Sequence, residues 1–273
     1  MERTRGMTNP PPPSNPPPNR PSRATEEDQV WTALRQLTAA RIGLRRTGAS
    51  IATGPLLDFR LAHARARDAV HEPLDETRLV ADLATLGTPV ITVASSAGDK
   101  QRYLLRPDLG RRLAPDAEAK LAPDAFGHDV VFVVTDGLSA RAVHSHARRV
   151  LTGVLAVLRA DAWRIAPIVV VRHGRVAVGD PIAAALHADC VAVLIGERPG
   201  LSAPDSMGAY LTWQPHAQTT DADRNCISNI RPEGIGYADA AFKLTYMLRA
   251  MHMRGISGVN LKDDSESFLI GRT

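Results

Sequence analysis

The chain has 273 residues, of which 44% are hydrophobic and only 4% aromatic, with a formal net charge of +4 and an isoelectric point near 9.4. This length predicts one large domain, or a main domain with a smaller appendage, whose core consists of aliphatic side chains. The charge excess is small and no basic stripe alternates with aromatic residues, which argues against nucleic-acid binding. Two cysteines do not make a disulfide framework, and no apolar run approaches the roughly 20 residues of a membrane-spanning helix.

The first segment, residues 1–26, is rich in proline and polar residues and is expected to be disordered. Prolines between positions 10 and 18 occupy the place of the apolar centre of a signal peptide, so none is expected. We expect this tail to keep the protein soluble, and a targeting peptide is the alternative. With the low cysteine content, these features predict a cytoplasmic protein.

A helical N-terminal region is predicted over residues 27–86. Its first helix covers residues 27–40, and its second covers residues 55–70, where Pro55 suits a first helical turn. The side chains expected to face inward are Val30, Leu34 and Leu37 in the first helix and Leu57, Leu61 and Ala64 in the second.

Strands and helices alternate from residue 89 onward. The predicted strands are residues 89–95, 130–137, 166–174 and 190–197, with a weaker one at 257–261. The predicted helices are residues 140–159, 181–188 and 237–253. This order predicts an α/β fold: a doubly wound, mostly parallel sheet with an N-terminal helical subdomain. The main domain is expected over residues 87–264, with a C-terminal tail at 265–273.

The segment TDGLSA, residues 135–140, lies where a strand passes into a helix. Asp136 is expected at the carboxyl end of the strand, and Ser139 is expected to cap the helix that follows. A helix cap with a tight glycine turn at Gly137 is favoured over direct ligand contact.

Three positions are candidate site residues. Val176 follows a predicted strand and is expected to pack locally or to form the apolar wall of a flat ligand. Glu197 ends the strand before a Gly/Pro turn. As a structural residue it is expected to pair with Arg198 or to cap a turn, and as a functional residue to accept hydrogen bonds from ligand amides. Cys226 stands among polar residues in a segment that has no clean hydrophobic period. We expect contact with another group to order this segment. The carboxyl edge of a parallel sheet, where open α/β sheets bind ligands, is the expected place for all three.

Several kinds of catalytic site are not predicted. Neither a dinucleotide fingerprint nor a P-loop motif occurs. Cys226 has no adjacent His or Lys to activate it, and a small buried residue is its simpler interpretation. No nucleophile elbow, close carboxylate pair or metal-spaced Cys/His cluster is present, so we predict no catalytic residue and no metal ligand in this chain.

Several strings together carry a family resemblance: GERPGLS, YLTW, DADRNCISNIRPEG, YLLRPDLGRRL, VVTDGLSA and LDFRLAHARARDAVHEPLD. They resemble the small subunit of ethanolamine ammonia-lyase, over roughly residues 30–262. The strings GERPGLS and NCISNI are the most specific of them.

The resemblance implies an adenosylcobalamin-dependent lyase that converts ethanolamine to acetaldehyde and ammonia by radical chemistry. It implies a hetero-oligomer in which a large barrel subunit holds the substrate and the small subunit helps to bind the cofactor at their contact. The family's cobalamin-contacting positions match Val176, Glu197 and Cys226. Residues 87–264 would then be a Rossmann-like cobalamin-contacting domain, in the cytoplasm, with a bacterial microcompartment as the alternative location.

Two other interpretations stay open at this point. A doubly wound domain of this kind also suits a nucleotide-binding or regulatory module. The excess of arginine leaves nucleic-acid binding as a third, weaker hypothesis.

Overall fold

A computed structural model describes residues 26–38, 40–121 and 127–265 of the chain. The predicted tails at 1–26 and 265–273 lie outside these residues, except for Glu26 and Ser265. The helices are α1 Glu26–Gln36, α2 Thr53–His71, α3 Glu76–Ala84, α4 Lys100–Leu105, α5 Pro107–Gly110, α6 Ala140–Ala160, α7 Gly179–Ala185 and α8 Tyr237–Arg254. The strands are β1 Arg46–Thr47, β2 Ser50–Ile51, β3 Val90–Ala94, β4 His128–Thr135, β5 Ile168–Arg172, β6 Ala188–Gly196, β7 Met207–Trp213 and β8 Arg224–Ile230.

The chain divides into two compact units, Met1–Ala52 and Thr53–Thr273. The first contains α1 and the short antiparallel pair of β1 and β2. In this unit the Trp31 ring packs directly over Gly43, and the Arg35 side chain donates to the Ile42 carbonyl at 3.1 Å. The predicted inward face of the first helix is not buried, because Val30, Leu34 and Leu37 are all exposed.

The second unit is built on a six-stranded sheet with the strand order β3-β5-β4-β6-β7-β8. The first four strands of that order are parallel, whereas β7 is antiparallel to β6 and β8 is antiparallel to β7. The predicted α/β class is confirmed, and the sheet is mixed.

Side chains on β4 and β6 alternate between two apolar cores. Val130, Phe132 and Val134 of β4 face the core that contains residues of α3, α6 and α8. Val131 and Val133 face the opposite core, which contains residues of α7. Burial on both faces explains why these strands are continuous apolar runs. Because β3, β5, β4 and β6 are parallel, their carboxyl ends lie at one edge of the sheet.

Two strands of the six-stranded sheet, and the short pair β1 and β2, were not predicted. The segment after Glu197, expected to be ordered by an outside contact, forms β7 and β8. Met207, Ala209 and Leu211 alternate along β7 and are buried against the core of α6 and α8. Gly208 lies between the first two of these residues, and glycine is rare in strands, so the strand signal in the sequence is weak.

The prediction of a weak strand at residues 257–261 is wrong. Gly258–Asn260 forms a short 3₁₀ helix, and Gly258 has φ +69°, a left-handed conformation that does not continue a strand. The Asn225 side chain accepts a hydrogen bond from the Gly258 N–H at 2.7 Å and holds this turn.

The inward face predicted for the second helix is also incorrect. Leu57 and Leu61 of α2 are 57% and 51% exposed, and Ala64 is half-buried. Instead, Ala66 and Ala69 in the C-terminal half of α2 are buried, and α2 contacts α6.

No helix within residues 26–38, 40–121 and 127–265 combines the length and the hydropathy that a membrane crossing requires.

Substitution of Gly196 by Ala is expected to destabilise the fold. A Cβ at this position would overlap the Ser139 carbonyl oxygen and lie 2.5 Å from the Asp136 carbonyl oxygen, so backbone would have to move. We expect a loss of about 2–3 kcal/mol in the free energy of unfolding, as for an overpacked core. The control is Gly200→Ala, where the nearest atom is 3.8 Å away. Urea unfolding of both variants measures the difference in stability. Equal midpoints would show that the end of β6 does not approach the turn after β4 as closely as described.

Candidate functional site

An open cleft of about 430 Å³ lies at the carboxyl ends of the parallel strands. The end of β6 and the segments that follow β4, β5 and β6 supply most of the lining residues, and α4 and β7 supply one tyrosine each. The lining residues are Tyr103, Leu138, Arg175, Val176, Ile195, Gly196, Glu197, Arg198 and Tyr210. The cleft thus combines aliphatic and aromatic surface with two guanidinium groups and one carboxylate.

Val176 is the first residue of the 3₁₀ helix Val176–Val178, which begins shortly after β5 ends at Arg172. Its side chain is half-buried and packs against the core of α7 while lining the cleft. The predicted apolar wall is therefore in a position to touch a ligand.

Glu197 follows β6 directly and joins three segments through its carboxylate. It accepts hydrogen bonds from the Ser206 hydroxyl, from the Ser228 hydroxyl at 2.5 Å and from the Asn229 N–H at 3.2 Å. Arg198, the partner expected in the structural interpretation, makes no ion pair with it among the described contacts. The carboxylate thus fixes the loop after β6 against β7 and β8, and Gly208 leaves room for it because a Cβ there would lie 2.8 Å from Oε1.

Cys226 lies in the middle of β8 and not at the strand end where it was expected. It stands directly opposite Tyr210 in the β7–β8 ladder, so both side chains occupy one face of the sheet. The two side chains hydrogen-bond each other, and Cys226 is exposed. Cys226 therefore extends the surface of the cleft beyond Tyr210.

The Cys226 thiol is not activated as a nucleophile. Partial removal from water raises its pKa, the hydrogen bond from Tyr210 opposes that shift, and the nearby Glu197 carboxylate adds to it. A thiolate is disfavoured under these conditions. The arrangement suits a contact surface better than covalent catalysis.

Asp136 forms a buried centre behind the cleft. Its carboxylate is 2% exposed, accepts a hydrogen bond from the His173 N–H at 2.7 Å and lies 3.6 Å from the Lys100 ammonium. Lys100 also donates to the Gly137 carbonyl at 2.9 Å. One carboxylate thus joins the end of β4, the first turn of α4 and the turn after β5.

This burial also shifts the titration of the neighbouring groups. Burial lowers the pKa of Lys100, and the charge of Asp136 opposes the shift. Burial likewise lowers the pKa of His173, and Lys100 adds to that effect while Asp136 opposes it. The lowered pKa favours the neutral His173 imidazole at pH 7, and the Lys100 ammonium lies nearer to the Asp136 carboxylate, at 3.6 Å, than the His173 ring does, at 4.0 Å.

The predicted role of Ser139 is only half correct. Ser139 occupies the N-cap position of α6, but its side chain makes no capping bond and donates instead to the Pro204 carbonyl at 3.1 Å. The hydroxyl thereby ties the helix start to the loop between β6 and β7.

Sequence reasoning missed the aromatic and cationic part of the cleft. Tyr103 and Tyr210 were noted only within the strings YLLRPDLGRRL and YLTW, and Arg175 was not singled out. Tyr103 is buried, and burial raises its pKa, so it stays a neutral phenol. The rarity of aromatic residues was the available signal, because the chain has only four tyrosines and two of them line this cleft.

The comparisons with known proteins agree on one family. Residues 28–262 match the family model described as ethanolamine ammonia-lyase light chain. An ethanolamine ammonia-lyase small subunit of Ralstonia nicotianae is 51% identical over 247 residues, covering 89% of this chain and 92% of that protein. Relatives with the same description from Pseudomonas fluorescens and Xanthomonas campestris pv. campestris are 49% and 48% identical, covering 88% and 90% of this chain and 88% and 92% of their own lengths.

Replacing Asp136 by Asn is expected to loosen the wall of the cleft. The change leaves the Lys100 charge unpaired in a mostly buried place, and we expect a loss of about 2–4 kcal/mol in the free energy of unfolding. The double variant Asp136→Asn with Lys100→Met is expected to lose less than the single variant, because both partners are then removed. Chemical unfolding measures both.

The matched control is Asp116→Asn, which removes an exposed carboxylate paired with Lys120 at 2.8 Å. Its unfolding midpoint is expected to match that of the parent chain. A loss for Asp136→Asn no larger than that of the control would contradict the central role of Asp136.

Proposed function

The chain belongs to the ethanolamine ammonia-lyase light chain family, and from this membership we propose that it is the small subunit of an adenosylcobalamin-dependent ethanolamine ammonia-lyase. It pairs with a large barrel subunit that holds the substrate, and the complex converts ethanolamine to acetaldehyde and ammonia. The observation that carries the proposal is the placement of Val176 and Glu197 on one cleft, with Cys226 next to Tyr210 of the same cleft.

The cleft fits part of a corrin cofactor. Val176, Leu138 and Ile195 offer apolar surface for the ring, and Tyr210 offers an aromatic side chain at its edge. Ligand sites of this kind combine apolar walls with a few placed polar groups. The cleft is open and smaller than a corrin with its nucleotide, so a second surface must cover the rest of the cofactor.

The residues of this chain act by binding and placement. When bound, adenosylcobalamin would supply the radical chemistry of the reaction. Val176 and Tyr210 exclude water from the covered side of the site. Glu197 holds the loop after β6 against β8, and Asp136 holds the turn that carries Val176, so the walls keep their spacing when the cofactor enters.

No side chain of the cleft is placed for acid–base work. Both oxygens of Glu197 already accept hydrogen bonds, the Cys226 pKa is raised, and Asp136 is enclosed by its own partners. The proposed subunit is therefore required for cofactor binding but contributes no catalytic residue. The cytoplasm is the proposed location, and the interior of a bacterial microcompartment is the alternative.

The proposal is tested on the complex of this chain with the large subunit. We expect the complex to bind adenosylcobalamin and to deaminate ethanolamine, and each subunit alone to do neither. Replacing Glu197 by Ala frees the loop after β6, so we expect cofactor affinity to fall at least about tenfold while the two subunits still copurify. Spectroscopic titration with adenosylcobalamin measures the affinity.

The matched control is Glu118→Ala, which removes an exposed carboxylate that does not line the cleft. It is expected to bind the cofactor as the parent complex does. Full cofactor affinity in the large subunit alone would refute the proposed function. An unchanged affinity in the Glu197 variant would refute only the role of that residue.

A further inference from the structure

Arg175 is held in the cleft by its backbone and by its side-chain stem. It precedes Val176 directly, and its N–H donates to the Gly110 carbonyl at 2.7 Å. A Cβ on Gly110 would lie 2.8 Å from the Arg175 Cγ, so the glycine makes room for the stem. Two segments distant in sequence thus meet to fix this one side chain.

The Arg175 guanidinium is also oriented. It lies 4.1 Å above the centre of the Tyr103 ring, and Nη2 donates to the Tyr103 carbonyl at 3.0 Å. A guanidinium stacked on an aromatic ring keeps its plane fixed while its outer N–H groups stay free to donate. Tyr103 therefore presents Arg175 as a ready-made donor.

The hydrogen-bonding capacity of Arg175 is mostly unused. A guanidinium carries five N–H donors, and this one makes a single hydrogen bond to the described residues. Its Nε is buried without a hydrogen-bond partner among them. The guanidinium therefore keeps donors available for an acceptor outside the described residues.

The charge of Arg175 has no counter-ion within the described residues, where no carboxylate lies within ion-pair distance of it. The nearby Asp136 is already paired with Lys100, and His173 is neutral. This corner of the cleft therefore carries one excess positive charge. Covering it with a second subunit would bury that charge unless an anion entered with it.

We propose that Arg175 binds an anionic oxygen of the ligand that fills the cleft. This inference rests on the proposed function, and under that function the acceptor is the phosphodiester of the cofactor's nucleotide loop, the one anionic side group of cobalamin. Guanidinium–phosphate pairs are among the strong charge-assisted hydrogen bonds. Arg175 thereby positions the nucleotide end of the cofactor, and Val176 positions the ring.

The test compares two cofactors in the complex with the large subunit: adenosylcobalamin and adenosylcobinamide, which lacks the phosphodiester and the nucleotide. Replacing Arg175 by Met keeps an unbranched stem and removes the charge. We expect the dissociation constant for adenosylcobalamin to rise about 10–100-fold, and that for adenosylcobinamide to rise less than about threefold. Arg175→Lys keeps the charge and is expected to lose less.

The matched control is Arg198→Met, which removes the other arginine that lines the cleft. It is exposed and unstacked, so we expect it to weaken adenosylcobalamin binding less than Arg175→Met does. The reverse order would overturn the assignment to Arg175. Equal losses for both cofactors in Arg175→Met would overturn the phosphodiester as acceptor.

A spectroscopic readout separates contact from a merely structural effect. The ³¹P resonance of bound hydroxocobalamin is expected to shift between the parent complex and Arg175→Met, because the phosphodiester loses its donor. An unchanged resonance in a variant that still copurifies with the large subunit would overturn the inference. A parent complex that binds no cobalamin would instead refute the proposed function itself.

Discussion

The cleft depends on one buried carboxylate, that of Asp136. It holds the Lys100 ammonium and the His173 N–H, and so joins the end of β4 to α4 and to the turn after β5. A buried charge that loses its partner costs several kcal/mol, so these segments cannot separate independently. Arg175 and Val176 follow His173 in the chain, and their placement in the cleft is a consequence of this constraint.

A second carboxylate has the same role on the other side of the cleft. Glu197 joins the loop after β6 to β7 and β8 through Ser206, Ser228 and the Asn229 N–H. Both acidic groups stand at the ends of neighbouring parallel strands, where catalytic acids are often found, yet both are used to hold loops. The chain therefore offers a rigid surface, and this agrees with a subunit that helps to enclose a cofactor and leaves the substrate to a partner.

Much of the fold was predictable because the four parallel strands are buried on both faces and carry strong aliphatic runs. Val176 and Glu197 were predictable for the same reason, since each follows the end of such a strand. β7 and β8 were missed because Gly208 and the polar residues of β8 hide the alternating pattern. Arg175 and Tyr103 were missed because their relationship is a stacking contact between residues 72 positions apart, which no local pattern shows.

The central claim is that the surface around Tyr210 and Cys226 is covered by cobalamin in the complex, and thiol alkylation tests it directly. The chain has two cysteines, of which Cys226 is exposed and Cys190 is buried as an internal control. We predict that iodoacetamide modifies Cys226 in the free chain, and that adenosylcobalamin slows this modification in the complex with the large subunit while Cys190 stays unmodified throughout. A rate of Cys226 modification that the cofactor leaves unchanged would contradict the account.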